Sequence, residues 1–276
     1  MKKILSLVLA LCVLCASLCI FTSCGDDTII VYTEAGFAPF EYVSGGEIVG
    51  VDIEIMKLVG EKLGKEVVFE DVNFNTIIDA VSAGKLANVG AAGISVTPAR
   101  QEKVDFSNEY YTAELYVIYR VDEAAQFEST TTDEVTGIYW ESLAGKSIAI
   151  QSGTTADLFL SDELAEGGIL DGTGAQKSSF SSLGTAVADV QSSNADVLII
   201  DELPARKLIE GKSDLACAPL YYQGAEGEAD EAAVDVYAIC VTKGETELLN
   251  AINEVLNELG EEGIQALINE HLGIEE

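Results

Sequence analysis

The sequence predicts an α/β protein made of two successive units, each a mostly parallel sheet flanked by helices. Three observations carry this expectation. From residue 28 onward, short apolar runs alternate with amphipathic stretches, the pattern of strands joined by crossover helices. The alternation breaks twice: at residues 122–142, which hold clustered acids and a run of three threonines without a period, and at the acidic link 224–233, GAEGEADEAA. At 276 residues, 48% of them hydrophobic, the chain has enough apolar material for a large core or two smaller ones.

Ahead of the first strand, Lys2 and Lys3 precede an uncharged apolar run over residues 4–21, then Thr22, Ser23 and Cys24. This basic, apolar, then small order is that of an export signal, and small residues leading into a cysteine predict a lipoprotein signal over 1–23 with Cys24 acylated. The alternative is an uncleaved anchor, since 18 apolar residues can just span a bilayer. Either way the remainder lies outside the cytoplasm.

The first unit then reads as a strand at 28–33 and a helix at 51–64, with Val51, Ile55, Leu58, Val59 and Leu63 at helical spacing. A strand follows at 67–70, a helix at 75–84 capped by Asn75, and a strand at 89–93. Residues 122–142 read as a loop or small insertion. The second unit reads as strand 147–151, helix 155–165, strand 176–179, helix 183–191, strand 197–200, helix 202–210 and strand 215–220. A strand at 234–242 and two closing helices finish the chain. The first of these helices carries Leu248, Leu249, Ile252, Val255, Leu256 and Leu259 on one face.

Charge and composition exclude several functions. Fifteen basic residues against 47 acidic ones give −32, and the part after Cys24 carries −34. Such a field repels phosphate backbones, so nucleic acid is not an expected partner. The single histidine, His271, rules out an HExxH zinc site and leaves any Ser-His-Asp arrangement dependent on a residue near the C-terminus. Neither a metal nor a cofactor is expected. Cys12, Cys15 and Cys19 fall inside the signal; Cys217 and Cys240 lie in apolar strand-like stretches. They either pair, as an extracellular compartment permits, or are buried separately as small hydrophobes.

Open parallel sheets bind ligands beyond the carboxyl ends of their strands. Glu34, Gly36, Phe37, Pro39 and Phe40 follow the first strand. GISVTPAR (93–100) follows the third, with Thr97 and Pro98 as helix cap and first turn and Arg100 just inside it. In the second unit QSGTT (151–155) leads into a helix, and Asp201 ends the strand VLII. A guanidinium beside helix amides and the Ser95 and Thr97 hydroxyls suits a carboxylate. Asp201 on the other unit suits an ammonium group, and together they suit the head of an amino acid. Spacing alone leaves the ordinary readings open, with Asp201 capping the next helix and Arg100 in a surface ion pair.

Longer stretches add to this: AGFAPFEY (35–42), GEIVGVDIEIMKLVGEKLG (46–64), FNTIIDAVSAGK (74–85), AAGISVTPARQEKVDFSNEYY (91–111), LAGKSIAIQSGTT (143–155), ADVLIID (195–201) and YAICVTKG (237–244). In order, and over nearly the whole exported part, they resemble the extracellular solute-binding proteins of polar amino acid ABC importers. The resemblance implies a type II periplasmic-binding-protein-like fold, with residues 24–113 plus 234–276 as one lobe, 114–233 as the other, and two hinge strands between. It also implies that Arg100 binds the ligand carboxylate with support from Ser95 and Gly93, that Asp201 receives the ammonium, and that Phe37 and Phe74 flank the side chain. Glu34, Gln151 and Thr155 would line the pocket. The bland readings make Phe74 core and Glu34 the partner of a lysine. Asn88 and His271 depart from the family pattern at positions expected to be structural.

The expected function is therefore reversible capture of an amino acid by hinge closure, by a monomer tethered through lipid on Cys24, with delivery to a permease and ATPase supplied by other chains. Once Arg100 and Asp201 cancel the ligand's head, Glu34 leaves about one negative charge in the pocket. That favours cationic (arginine, lysine, ornithine) or polar neutral side chains over acidic ones. No catalysis is expected. The rival reading is a cyclohexadienyl-acid dehydratase on the same fold, with Glu34 and Asp201 as general acid and base.

Overall fold

The computed structural model describes residues 28–132, 135–225 and 229–274; the expected export signal and Cys24 lie outside them. The first stretch comprises β1 (Thr28–Thr33), a small antiparallel meander of β2 (Gly36–Phe37), β3 (Glu41–Ser44) and β4 (Glu47–Val49), helix α1 (Val51–Leu63), β5 (Glu66–Asp71), α2 (Phe74–Ala83), β6 (Val89–Gly90), α3 (Pro98–Gln101) and β7 (Val104–Phe106). The second comprises β8 (Tyr111–Arg120), β9 (Ser129–Thr132), β10 (Val135–Tyr139), β11 (Ser147–Gln151), α4 (Thr155–Leu164), β12 (Gln176–Phe180), α5 (Leu183–Gln191), β13 (Val197–Asp201), α6 (Glu202–Ile209) and β14 (Leu215–Tyr222). β15 (Glu231–Ala232), β16 (Val234–Tyr237), β17 (Cys240–Thr242) and α7 (Thr246–Leu272) close the chain.

Two large sheets result. One has the order β5-β1-β6-β17-β7, with β1 parallel to β5 and β6, and β17 returning antiparallel. The other runs β12-β11-β13-β8-β14-β10-β9. Its β11 is parallel to β12 and β13, while the ten-residue β8 lies antiparallel between β13 and β14. Period-two burial explains why the inner strands are apolar throughout. Leu115 and Val117 of β8 and Val197 and Ile199 of β13 enter one core cluster, and Tyr116, Ile118, Leu198 and Ile200 enter another on the opposite face. A strand buried on both faces has no polar register, which is why VLII reads as one unbroken run.

The chain passes between the sheets twice, through β8 and back through β16. These two strands pair antiparallel, Val234 opposite Glu114 and Tyr237 opposite Tyr111. The expected strand 234–242 is accordingly two strands, because Ala238 and Ile239 carry the backbone from one sheet to the other. The expected loop at 122–142 is also corrected. It holds a 3₁₀ turn (Val121–Gln126), the hairpin β9–β10 added to the sheet beside β14, and a 3₁₀ turn (Trp140–Leu143) that buries Trp140 completely. Its threonines suit an edge hairpin, and their lack of an apolar period hid it. Helix α2 starts one residue early, with Asn73 and not Asn75 at its cap. α7 bends at Gly260, where φ 59 and ψ −174 leave the helical region, so two helical segments close the chain as expected.

Cys217 and Cys240 are both free. The two departures at Asn88 and His271 have structural roles. Asn88 Oδ1 accepts the Ile30 amide beside β1. His271 Nδ1 lies 3.2 Å from the Tyr42 hydroxyl and joins α7 to the meander.

Candidate functional site

The carboxyl ends of β1, β6, β11 and β13 point into one narrow cavity between the two sheets. Glu34 follows β1 directly, Ala92 and Gly93 follow β6, and Gln151 and Asp201 are the last residues of β11 and β13. Phe37, Glu41, Phe74, Ser95, Thr154 and Thr155 complete the wall.

The structure thus brings eight of the nine expected site residues to one cavity: Glu34, Phe37, Phe74, Gly93, Ser95, Gln151, Thr155 and Asp201. The ninth, Arg100, lies just behind the wall, its Cζ 5.6 Å from the centre of the Phe74 ring. Its helix is capped as its sequence suggests, with Thr97 Oγ1 accepting the Arg100 amide at 3.2 Å and Pro98 in the first turn. Nη1 donates to the Ser95 carbonyl at 2.7 Å, and Nη2 crosses the cleft to the Gly153 carbonyl at 2.9 Å. Among the described residues no carboxylate forms an ion pair with this buried guanidinium. Phe74 is only half-buried and faces the cavity, and no lysine pairs with Glu34 among the described residues. Asp201 caps no amide with its side chain.

Two glycines have steric reasons. Gly93 has φ 52, and a Cβ there would sit 2.9 Å from Phe37 Cε1. Gly153 has φ 81, and its Cβ would sit 2.9 Å from the Cβ of Asn75 on the opposite wall. Both positions need a left-handed backbone in contact with a neighbour.

The sequence reading missed Glu41, which lines the cavity opposite Phe37 in the meander. It is fully buried, and among the described residues neither carboxyl oxygen has a hydrogen-bond partner. Burial, with Asp52 and Glu34 nearby, pushes its pKa well above the usual carboxylate range. Gln151 Nε2 and Asp201 Oδ1 are also buried, with Glu34 and Tyr237 as their nearest polar neighbours rather than close hydrogen-bond partners. The two Glu41 oxygens have none among the described residues, and buried polar atoms of this kind around one cavity mark a place for a polar ligand. The signal for Glu41 was available: an acid inside the aromatic stretch PFEY is out of place unless something needs it there.

The electrostatics are one-sided. Glu34, Glu41 and Asp201 line the cavity, and among the described residues no lysine or arginine does. Burial raises the pKa of Glu34. Burial and the neighbouring Asp235 raise that of Asp201 to about 7. Beneath the wall, Asp52 accepts the Tyr110 hydroxyl at 2.5 Å and the Gly93 amide at 2.9 Å, and burial raises it to about 6. Carboxylates that burial keeps from ionising gain from a cation placed among them. Phe37 on the wall packs against Phe40 and Tyr237 buried behind it, these two edge to face at 5.0 Å between centroids. The Phe37 and Phe74 rings on the wall offer flat faces to an aliphatic stem or a planar cation.

Residues 29–273 match the family described as bacterial extracellular solute-binding proteins, family 3. The arginine-binding extracellular protein ArtP of Bacillus subtilis (strain 168) is 28% identical over 272 residues, covering 95% of this chain and 94% of its own. The histidine-binding periplasmic protein of Escherichia coli (strain K12) is 26% identical over 239 residues, covering 86% and 84%. Among solved structures, the substrate-binding protein AbpA of Streptococcus pneumoniae bound to L-arginine superposes with a TM-score of 0.74 at 28% identity, covering 91% of this chain and 97% of its own.

Proposed function

Because the chain belongs to the bacterial extracellular solute-binding proteins of family 3, we propose that it captures a cationic amino acid of the arginine class outside the cytoplasm and presents it to an ABC importer. The observation that carries this reading is the charge of the cleft, three acids on the wall against one guanidinium behind it. The family's relatives named for arginine and histidine binding agree in ligand class.

The ligand's carboxylate goes to Arg100, and its ammonium goes to the Asp201 carboxyl, with the Ser95 and Thr155 hydroxyl oxygens as further acceptors on the cavity wall. Its stem lies between Phe37 and Phe74. Its distal cation reaches Glu34 and Glu41, and the Glu41 oxygens then gain the partners they lack among the described residues. The expectation from the sequence rests on Glu34 alone; Glu41 adds a second carboxyl whose ionisation a bound cation favours, and this moves the preference from polar neutral side chains toward cationic ones. Ligand contacts to both lobes favour the closed arrangement, and closure removes water, which strengthens each charge pair. We divide the lobes at residues 113–114 and 233–234; the antiparallel pairing of β8 with β16 there supports this division. We assign residues 1–23 to a cleaved lipoprotein signal and the tether to lipid on Cys24, with the protein acting as a monomer beside a permease and ATPase.

A thermal-shift screen of the purified protein against the common amino acids tests the reading. A ligand that binds only the folded form raises the melting temperature. Arginine, lysine or ornithine should give the largest shifts and aspartate and glutamate none; a shift with glutamate alone would refute it.

A further inference from the structure

Behind the cavity wall one side chain joins three parts of the molecule. Asp235 lies on β16, the returning crossover strand, and is buried, with 7% of its surface exposed. Its Oδ2 accepts the hydroxyl of Ser95 from the first lobe and the hydroxyl of Thr155 from the second. The two hydroxyl oxygens are themselves 3.1 Å apart across the cleft, and Oδ1 takes the Val236 amide at 2.9 Å. Ser95 and Thr155 are also buried, 3% and 7% exposed. The strand that holds Asp235 is pinned to the same loop by its backbone, Val96 N donating to Val236 O and Ala238 N to Ile94 O.

A hydroxyl has one proton. With both protons given to Asp235, the oxygens of Ser95 and Thr155 face the cavity with lone pairs only. We propose that Asp235 is a positioning residue for ligand capture: it sets these two hydroxyls as acceptors toward the ligand and, by holding one from each lobe on a single oxygen, favours the closed arrangement from the crossover strand itself. The part of this that concerns the ligand rests on the amino-acid-capture reading; the part that concerns closure does not.

The geometry favours this role over simple packing. A buried carboxylate needs hydrogen bonds from somewhere, and neighbours within its own lobe would serve. Asp235 instead takes its two side-chain donors from opposite walls, where closure brings them together and opening must separate them. Opening the cleft therefore leaves a buried or newly wetted acid without one of its two charge-assisted partners.

The test compares wild type, Asp235→Ala, Thr155→Val and the double variant by small-angle X-ray scattering without ligand, after circular dichroism confirms folding. Asp235→Ala and Thr155→Val should each enlarge the radius of gyration, and the double variant should enlarge it no further, since both remove one connection. Asp235→Asn, which keeps an acceptor oxygen, should restore most of the compaction. With arginine as the probe, stopped-flow kinetics should show Asp235→Ala losing affinity by about tenfold or more, mainly through faster release. An unchanged radius in both single variants, or an additive double variant, would overturn the proposal. If the scattering pattern holds while wild type binds no amino acid, the closure role stands and the capture reading falls.

Discussion

Asp201 makes arginine binding depend on pH in a way the structure sizes. The carboxyl is buried at the end of β13 beside Asp235 and has its pKa raised to about 7. Only its ionised form suits an ammonium group. With a pKa of 7, the ionised fraction is roughly three quarters at pH 7.5 and roughly one in thirty at pH 5.5. If the bound ammonium holds the carboxylate ionised at both pH values, the apparent affinity for arginine falls roughly 25-fold between them, about 2 kcal/mol. Glu41, which is also raised, adds to the loss. Arginine itself does not titrate in this window, so the change belongs to the protein. Calorimetry at pH 6.0 in buffers of different ionisation enthalpy should show about 0.9 proton released per arginine from Asp201. Stability of the free protein should move the opposite way. Asp52 and Asp201 hold protons in the folded chain that the unfolded chain releases above about pH 4. The folded state therefore binds more protons up to about pH 7, and it becomes more stable as pH falls from 7.5 to 5. Weakened binding at pH 5.5 is then not unfolding. Equal affinity at the two pH values, with no buffer dependence, would refute the protonation argument.

Other substitutions separate the roles of the cleft residues. Arg100→Ala should weaken arginine binding by about 3 kcal/mol or more, over a hundredfold, because it removes a desolvated charge partner; titration calorimetry measures it, and unchanged affinity would remove Arg100 from the site. Glu41→Gln should raise the melting temperature of the free protein while lowering affinity for arginine more than for glutamine, since it removes an unpartnered buried acid. Gly93→Ala should destabilise the protein by roughly 1–3 kcal/mol in urea denaturation, from the positive φ and the crowding against Phe37.

Where one physical demand acts on a segment, the sequence displays it. Helix α1 shows its stripe because one face packs on the core, and β13 reads as an unbroken apolar run because both of its faces are covered. The site loops were legible for a related reason: Glu34, Gln151 and Asp201 interrupt apolar strands at their carboxyl ends, where open sheets place ligands. The resemblance supplied which of them face each other. Less was visible where demands compete. β8 carries Thr112, Glu114 and three tyrosines besides its apolar residues because it serves first as a crossover and then as a central strand. The hairpin β9–β10 sits at a sheet edge, which asks for polar side chains. Asp235 was hidden because its meaning depends on hydroxyls 80 and 140 residues away in the chain. No local pattern reports a partner of that kind.

Equilibrium dialysis of radiolabelled L-arginine against the purified protein at pH 7.5, with unlabelled competitors, addresses the cleft's charge selectivity most directly. One arginine should be retained per chain, displaced by lysine or ornithine and unaffected by a large excess of glutamate or aspartate. Retention of labelled glutamate with arginine failing to compete would contradict a cleft that gathers Glu34, Glu41 and Asp201 around a cation.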